Sequence, residues 1–127
     1  LGDVYKRQAL HWQAHGLNYG LPKSLDDEIA EGTVVIANVS RRVLGDIRRL
    51  YAERSVVVIS ATPEVLAERL ASRGRESREE ITARLAREVS FDDRADDVVI
   101  IDNSGEVAAS TDFFLRHLQE ISIKTIA

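Results

Sequence analysis

From residue 33 onward, short runs of β-branched residues alternate with longer segments of helical periodicity. The runs Thr33–Asn38, Ser55–Ser60 and Val98–Asp102 are almost continuously apolar. Such strands are typical of a parallel sheet that helices cover on both faces, and alternation of strands with helices is typical of βαβ units. The sequence therefore predicts an α/β fold, a parallel sheet with flanking helices.

Small polar residues follow each predicted strand. They are Asn38 and Ser40, then Ser60 and Thr62, then Asp102, Asn103 and Ser104. Open α/β sheets bind ligands beyond the carboxyl ends of their strands, so we expect a ligand site at this edge. Asn103 also precedes a helix predicted from about residue 106, a position suited to contacts with a nucleotide base.

Local signals mark the helix ends. Thr62 before Pro63 is typical of an N-cap followed by proline in the first turn, and Ser77 with Glu80 fits a capping box. Gly74 separates the two helices that these signals predict.

Two further segments give weaker signals. Ser40 is suited to cap a helix that runs to about residue 50. Ala9–His15 reads as a helix that carries Trp12, and the residues from His15 to Pro22 as turns.

Composition excludes several classes of protein. The 127 residues suit one domain. Without cysteine, disulfides, thiolate catalysis and cysteine-bound metals are ruled out. A net charge of −4 argues against charge-driven binding to nucleic acid, and no apolar run approaches the roughly 20 residues of a membrane span. We expect a cytoplasmic protein with no nucleic-acid or membrane partner. Because the sequence lacks Met and begins at Leu1, we also expect a fragment.

Arginines concentrate in one segment of this acidic chain. The segment holds Arg69, Arg73, Arg75, Arg78, Arg84 and Arg87. Guanidinium groups bind phosphate oxygens in a bidentate manner and offset charge in phosphoryl transfer. A solvated helical hairpin with Glu–Arg pairs explains the same pattern, so spacing alone leaves both interpretations open.

Other candidate residues have structural alternatives of their own. Tyr19, in a tight loop, can present its hydroxyl to an anion or simply pack its ring. His11 and Trp12 can shape a pocket or belong to the core. A group of carboxylates resembles a solvated turn more than a cation loop; its members are Asp92, Asp93, Asp96 and Asp97. No GxxxxGK[ST] phosphate loop occurs, so this sequence alone is not expected to turn over ATP.

Taken in order, these motifs resemble the nucleoside-monophosphate-kinase-like fold and, within it, the guanylate-kinase-like group. The stretch from Arg69 to Leu85 is similar to that group's lid, and Trp12–Gly20 to the segment that holds the acceptor's phosphate. The resemblance covers about residues 9 to 121. The phosphate loop and the first strand of that fold would precede this sequence.

Two positions separate the chain from guanylate kinases. Where those enzymes read guanine with carboxylates, this sequence has His11 and Ser40, which leaves the N–H donors of guanine without charged acceptors. The segments His11–Pro22, Ile36–Arg41, Arg73–Ser77 and Ile101–Gly105 are instead similar to the ribose 1,5-bisphosphate phosphokinases. That resemblance implies phosphoryl transfer from ATP to ribose 1,5-bisphosphate, which forms 5-phosphoribosyl 1-diphosphate in phosphonate breakdown.

The resemblance also implies roles for the residues of the acceptor side. Tyr19 becomes a ligand of the acceptor phosphate and Arg41 a further clamp on the bisphosphate. His11 and Ser40 line the sugar site.

On the donor side, the resemblance makes Arg73 and Arg84 the catalytic lid residues that close on the transferred phosphoryl group. Asn103 lies near the adenine. ATP and Mg²⁺ are the implied cofactors, bound mainly by the missing N-terminal part, and no metal ligand is expected in this sequence.

The expected organisation is one guanylate-kinase-like domain over residues 9–127, with residues 1–8 foreign to the gene. The domain divides into an acceptor-binding part at about 9–32, a core at 33–70 and 90–127, and a lid at about 71–89. Two alternatives stay open: a guanylate kinase, and a non-catalytic guanylate-kinase-like module that binds proteins.

Overall fold

The computed structural model describes residues 6–74, 76–86 and 94–126, and for residues 84–86 and 123–126 the backbone only. These residues form two compact units. The first runs up to Arg54 and includes the residues from Leu118 onward, and the second runs from Ser55 to His117. The last helix contributes to both.

An antiparallel hairpin opens the first unit. Strand β1 (Gln8–Ala14) pairs with strand β2 (Leu17–Pro22). The helix predicted over Ala9–His15 is therefore wrong. Of the turns predicted from His15 to Pro22, only His15 and Gly16 form one, because Leu17–Pro22, with Tyr19, is a strand. Along β1 buried or half-buried side chains alternate with exposed ones, the period of two that a strand with one covered face requires. His15 and Gly16 close the hairpin with φ of 53° and 75°, as a two-residue hairpin turn demands.

Short helices complete the first unit. They are α1 (Ser24–Ala30), a 3₁₀ turn (Arg41–Val43) and α2 (Leu44–Leu50). The Ser40 side chain accepts a hydrogen bond from the Arg42 N–H at 3.4 Å, which confirms the predicted cap. The core of this unit contains the buried side chains Leu10, Leu25, Val43 and Leu44.

The strand predicted over Thr33–Asn38 is wrong. These residues have no regular secondary structure, and Ile36 is 63% exposed. A strand forms only where its backbone can hydrogen-bond to a neighbouring strand. A continuous apolar run predicts that the segment is buried, but it does not show which segment it pairs with. In the described part of the chain, strands β3 and β4 of the second unit pair only with each other.

The second unit contains the predicted parallel pairing. Strand β3 (Val56–Ser60) lies in register with strand β4 (Val98–Asp102), from Val56 opposite Val98 to Ser60 opposite Asp102. Helices α3 (Pro63–Ser72) and α4 (Arg78–Ala86) lie between them in sequence, and α5 (Val107–Ile126) follows. This is the predicted α/β arrangement of a parallel sheet with helices.

Both predicted helix starts of the second unit are confirmed. The Thr62 side chain accepts from the Val65 N–H at 3.4 Å, with Pro63 in the first turn. At α4 the Ser77 N–H donates to the Glu80 carboxylate at 3.1 Å, and the Glu80 N–H donates to the Ser77 hydroxyl at 3.2 Å. Ile81 follows this capping box and is fully buried, with 0% exposure.

Among the described residues, no helix is both long and apolar enough to cross a membrane.

Candidate functional site

The loop after β4 lies at the carboxyl edge of the parallel pair, where the sequence predicts a ligand site. The Asn103 N–H donates to the Ser60 carbonyl at 2.6 Å and so extends the β3–β4 ladder by one bond. The Thr62 N–H donates to the Ser104 hydroxyl at 2.9 Å. The loop is thus tied to both the end of β3 and the start of α3.

Asp102 forms hydrogen bonds within this loop. The Ser104 N–H donates to Asp102 Oδ1 at 2.9 Å. Hydrogen bonds from the Ser104 hydroxyl and then from its N–H lower the pKa of the Asp102 carboxyl, because they stabilise the charged form. The carboxylate is fully exposed and remains ionised at neutral pH.

Asn103 is held by two further elements. Arg69 of α3 donates from Nη1 to the Asn103 carbonyl at 2.6 Å and from Nη2 to the Gly105 carbonyl at 3.5 Å. Ser110, in the first turn of α5, donates from its hydroxyl to Asn103 Oδ1 at 2.8 Å. Sequence patterns missed both contacts, because each joins residues that become neighbours only when α3 and α5 pack beside the loop.

The arginine-rich segment divides between structural and exposed positions. Arg69 holds the Asn103 loop. Arg73 is the exposed C-cap of α3, and Gly74 beside it has a φ of 70°, which confirms a corner between two helices. Arg84 lies on α4 with its side chain outside the described residues, and Arg75 and Arg87 lie outside them entirely.

Tyr19 lies on β2 and stacks on Trp12 of β1. The ring centroids are 5.5 Å apart and the planes are inclined by 9°. The two residues are opposite each other in the strand register, whereas His11 is opposite Gly20. Because successive residues of a strand alternate between faces, the exposed His11 lies on the face opposite to the aromatic pair.

Ser40 and Arg41 precede and begin the 3₁₀ turn, which packs against β1. Ser40 is half-buried and acts as the cap, while Arg41 is exposed. The predicted acceptor-side residues all belong to the first unit, and the predicted donor-side residues all belong to the second. The acceptor-side residues are His11, Tyr19, Ser40 and Arg41. The donor-side residues are Arg73, Arg84 and Asn103.

One polar contact in the first unit was not anticipated from the sequence. The Tyr51 hydroxyl donates to Asp26 Oδ1 at 2.6 Å and links α1 to the residue after α2. Partial burial, and then this bond and the charge of Asp26, raise the pKa of Tyr51 to about 12. The contact spans 25 residues, so no local pattern could have predicted it.

Comparison with known proteins supports the sequence interpretation. No family model matches the chain. Ribose 1,5-bisphosphate phosphokinase PhnN of Brucella melitensis is 80% identical over 121 residues, which are 95% of this chain and 63% of that protein. The protein of the same name from Brucella abortus gives the same values. The one from Chelativorans is 43% identical over 112 residues, or 88% of this chain and 54% of that protein.

The resemblance to the ribose 1,5-bisphosphate phosphokinases is confirmed. At 80% identity about one aligned residue in five differs, a level at which a shared α/β fold is expected. The chain spans a little less than two thirds of the length of these Brucella phosphokinases.

Proposed function

We propose that the full-length protein containing this chain transfers the γ-phosphoryl group of ATP to ribose 1,5-bisphosphate. An oxygen of the 1-phosphate attacks the γ-phosphorus, the bond to the β-phosphate oxygen breaks, and ADP and 5-phosphoribosyl 1-diphosphate leave. The 80% identity to two proteins named ribose 1,5-bisphosphate phosphokinase over 95% of the chain carries this proposal.

The acceptor is assigned to residues of the first unit. The Tyr19 hydroxyl, on a ring held by Trp12, donates to a phosphate oxygen of the bisphosphate. Arg41 is exposed at the start of the 3₁₀ turn, and its guanidinium suits a second phosphate contact. By the same resemblance we assign Ser40 and His11 to the sugar, in place of the carboxylates that would read guanine. Because His11 lies on the hairpin face opposite to Tyr19, this assignment requires the sugar to reach around the edge of the hairpin.

The transferred phosphoryl group is assigned to Arg73 and Arg84. Phosphoryl transfer needs little covalent chemistry from the protein, so catalysis consists of positioning the reactants and of stabilising charge on the transferred group. The guanidinium groups of Arg73, at the corner after α3, and of Arg84, on α4, suit both needs. Asn103 contacts the adenine, and Arg69 fixes its backbone.

ATP fits the donor groups of this chain, since the amide of Asn103 and the guanidinium groups are all hydrogen-bond donors. When bound, Mg²⁺ would neutralise charge on the phosphates. Among residues 6–74, 76–86 and 94–126, no three His, Cys, Asp or Glu side chains come together as a metal site.

A substrate panel tests the proposal. We expect the full-length protein to consume ATP with ribose 1,5-bisphosphate as acceptor and to release 5-phosphoribosyl 1-diphosphate, measured by coupled ADP release and by phosphorus NMR of the product. Strong turnover with GMP would instead identify a guanylate kinase. Binding of peptides without any response to ATP in calorimetry would identify a protein-interaction module.

A further inference from the structure

The side chain of Asn103 is fixed in one orientation by a residue that no sequence motif marks. Ser110 and Asn103 are both half-buried, and the Ser110 hydroxyl lies 2.8 Å from Asn103 Oδ1. The same hydroxyl lies 3.0 Å from the Val107 carbonyl oxygen. Both lengths are normal for an O–H···O bond, but a hydroxyl has one proton. Because an acceptor atom of the amide, Oδ1, faces the hydroxyl, we assign that proton to Asn103.

This contact determines which atoms of Asn103 are presented to a ligand. With Oδ1 bound to Ser110, Nδ2 and its two N–H groups are the part of the amide left to bind a ligand. Within the described part of the chain, no residue accepts a hydrogen bond from Nδ2. The backbone of Asn103 cannot turn the amide elsewhere, because its N–H is bound to Ser60 and its carbonyl to Arg69.

We propose that Ser110 is a positioning residue for nucleotide binding: it holds Oδ1 of Asn103 so that the amide offers two N–H donors to an acceptor atom on the base. Adenine has such acceptors in its ring nitrogens. The inference rests on the proposed function, which assigns the adenine to Asn103. It adds that Asn103 is the hydrogen-bond donor and the base the acceptor in that contact. Because the amide is already oriented before ATP binds, no free energy is lost in ordering it on binding.

Calorimetry with ATP in Mg²⁺ buffer on the full-length protein tests this inference. Ser110→Ala frees the amide to rotate, and we expect the Kd for ATP to rise about 3- to 10-fold, the size of one neutral hydrogen bond. The KM for ribose 1,5-bisphosphate and the melting temperature should stay near their wild-type values. Ser122→Ala is the matched control, because Ser122 also lies on α5 and, among the described residues, its hydroxyl bonds only to the Leu118 carbonyl, at 2.9 Å.

Asn103→Asp tests the polarity separately. The carboxylate still accepts the Ser110 proton but has no donor for the base, so we expect ATP to bind at least as weakly as to Ser110→Ala. If Asn103→Asp binds ATP as well as wild type, the base is read by an acceptor and the proposal is overturned. Equal ATP affinity of Ser110→Ala and Ser122→Ala would overturn it as well.

The outcomes also separate the inference from the function on which it rests. Weakened ATP binding by Ser110→Ala in a protein that transfers no phosphoryl group to ribose 1,5-bisphosphate supports the inference and rejects the proposed function. Transfer to ribose 1,5-bisphosphate with ATP binding unchanged by Ser110→Ala rejects the inference alone. A wild-type protein that binds no ATP rejects both.

Discussion

The side chains of Asn103, in the loop after β4, and of Tyr19, on the hairpin, are held by different contacts. Hydrogen bonds from β3, α3 and α5 fix the loop, through Ser60, Arg69 and Ser110. Tyr19 depends on a ring stack with Trp12 and on the pairing of two strands. Directional bonds fix an orientation to within a narrow angle, whereas a stacked ring can still slide in its plane.

This difference has a consequence for recognition. An amide that must tell a donor from an acceptor needs a fixed orientation, which the loop supplies. A phenol that donates to one of several equivalent phosphate oxygens tolerates small shifts. The two regions therefore suit the chemistry proposed for each, a base on the loop and a sugar bisphosphate on the hairpin.

The largest effect is expected from a residue in neither region. Arg84→Ala should lower kcat about 100-fold or more, because charge on the transferred phosphoryl group loses a guanidinium. Steady-state kinetics of the full-length protein provide the measurement. Arg49→Ala is the matched control, since Arg49 is an exposed arginine paired with Asp46 at 2.8 Å. Unchanged kcat and unchanged ATP affinity would show that Arg84 has no role in the reaction.

Tyr19→Phe tests whether the hairpin serves the acceptor alone. The ring stack with Trp12 persists and only the hydroxyl is lost, so the KM for ribose 1,5-bisphosphate should rise about 10-fold with the Kd for ATP unchanged. A change in the Kd for ATP, with the KM for ribose 1,5-bisphosphate constant, would contradict the assignment of the acceptor to the hairpin.

Thr62→Ala probes the loop through its neighbouring helix. Loss of the cap on α3 should lower the free energy of unfolding by about 1 kcal/mol, measured by urea denaturation. Thr62→Ser keeps the hydroxyl and should restore most of the difference. The backbone N–H of Thr62, which bonds to Ser104, is kept in Thr62→Ala. Fraying of the uncapped first turn of α3 would weaken that bond only indirectly, so we expect a small rise in the Kd for ATP and none in the KM for the acceptor. Equal stability of wild type and Thr62→Ala would contradict the cap.

The smallest effect is expected from the pH dependence of the first unit. Burial, and then the bond to Asp26, raise the pKa of Tyr51 from 10.0 to about 12. The neutral hydroxyl therefore stabilises the folded protein below pH 10, and this contribution is lost as the pH rises from 10 through 12. Tyr51→Phe should cost about 0.5 to 1 kcal/mol at pH 8 and progressively less above pH 10. Urea denaturation across this range measures it, with Tyr19→Phe as control. A difference that stays constant from pH 8 to 12 would refute the assignment.

The sequence predicted those parts of the fold that depend on local contacts. The caps at Thr62 and Ser77 follow from residues three positions apart. Strands β3 and β4 were recognised from their own apolar runs, although their pairing joins distant residues. The hairpin was mistaken for a helix because seven residues of mixed polarity satisfy either period. The strand predicted at Thr33–Asn38 failed because pairing depends on a distant partner.

The candidate site shows the same limit. Sequence resemblance suggested Asn103 and Tyr19 as ligand contacts, and these roles stay predictions. It could not suggest the residues that orient them. Ser110 is seven positions from Asn103 and Arg69 is 34 positions away, and only the packing of α3 and α5 around the loop brings them within hydrogen-bond distance.

The capping box at the start of α4 satisfies backbone donors of the first turn with groups of the same segment. Ser77 and Glu80 satisfy each other's backbone N–H groups, so none of these bonds reaches outside the helix. A rotation of α4 about the corner at Gly74 would disturb the packing of Ile81 but would expose no new backbone donor at the cap. The contact that opposes such a rotation is therefore the apolar packing of Ile81, and a rotation of this kind would carry Arg84 with the helix while leaving the capping box intact.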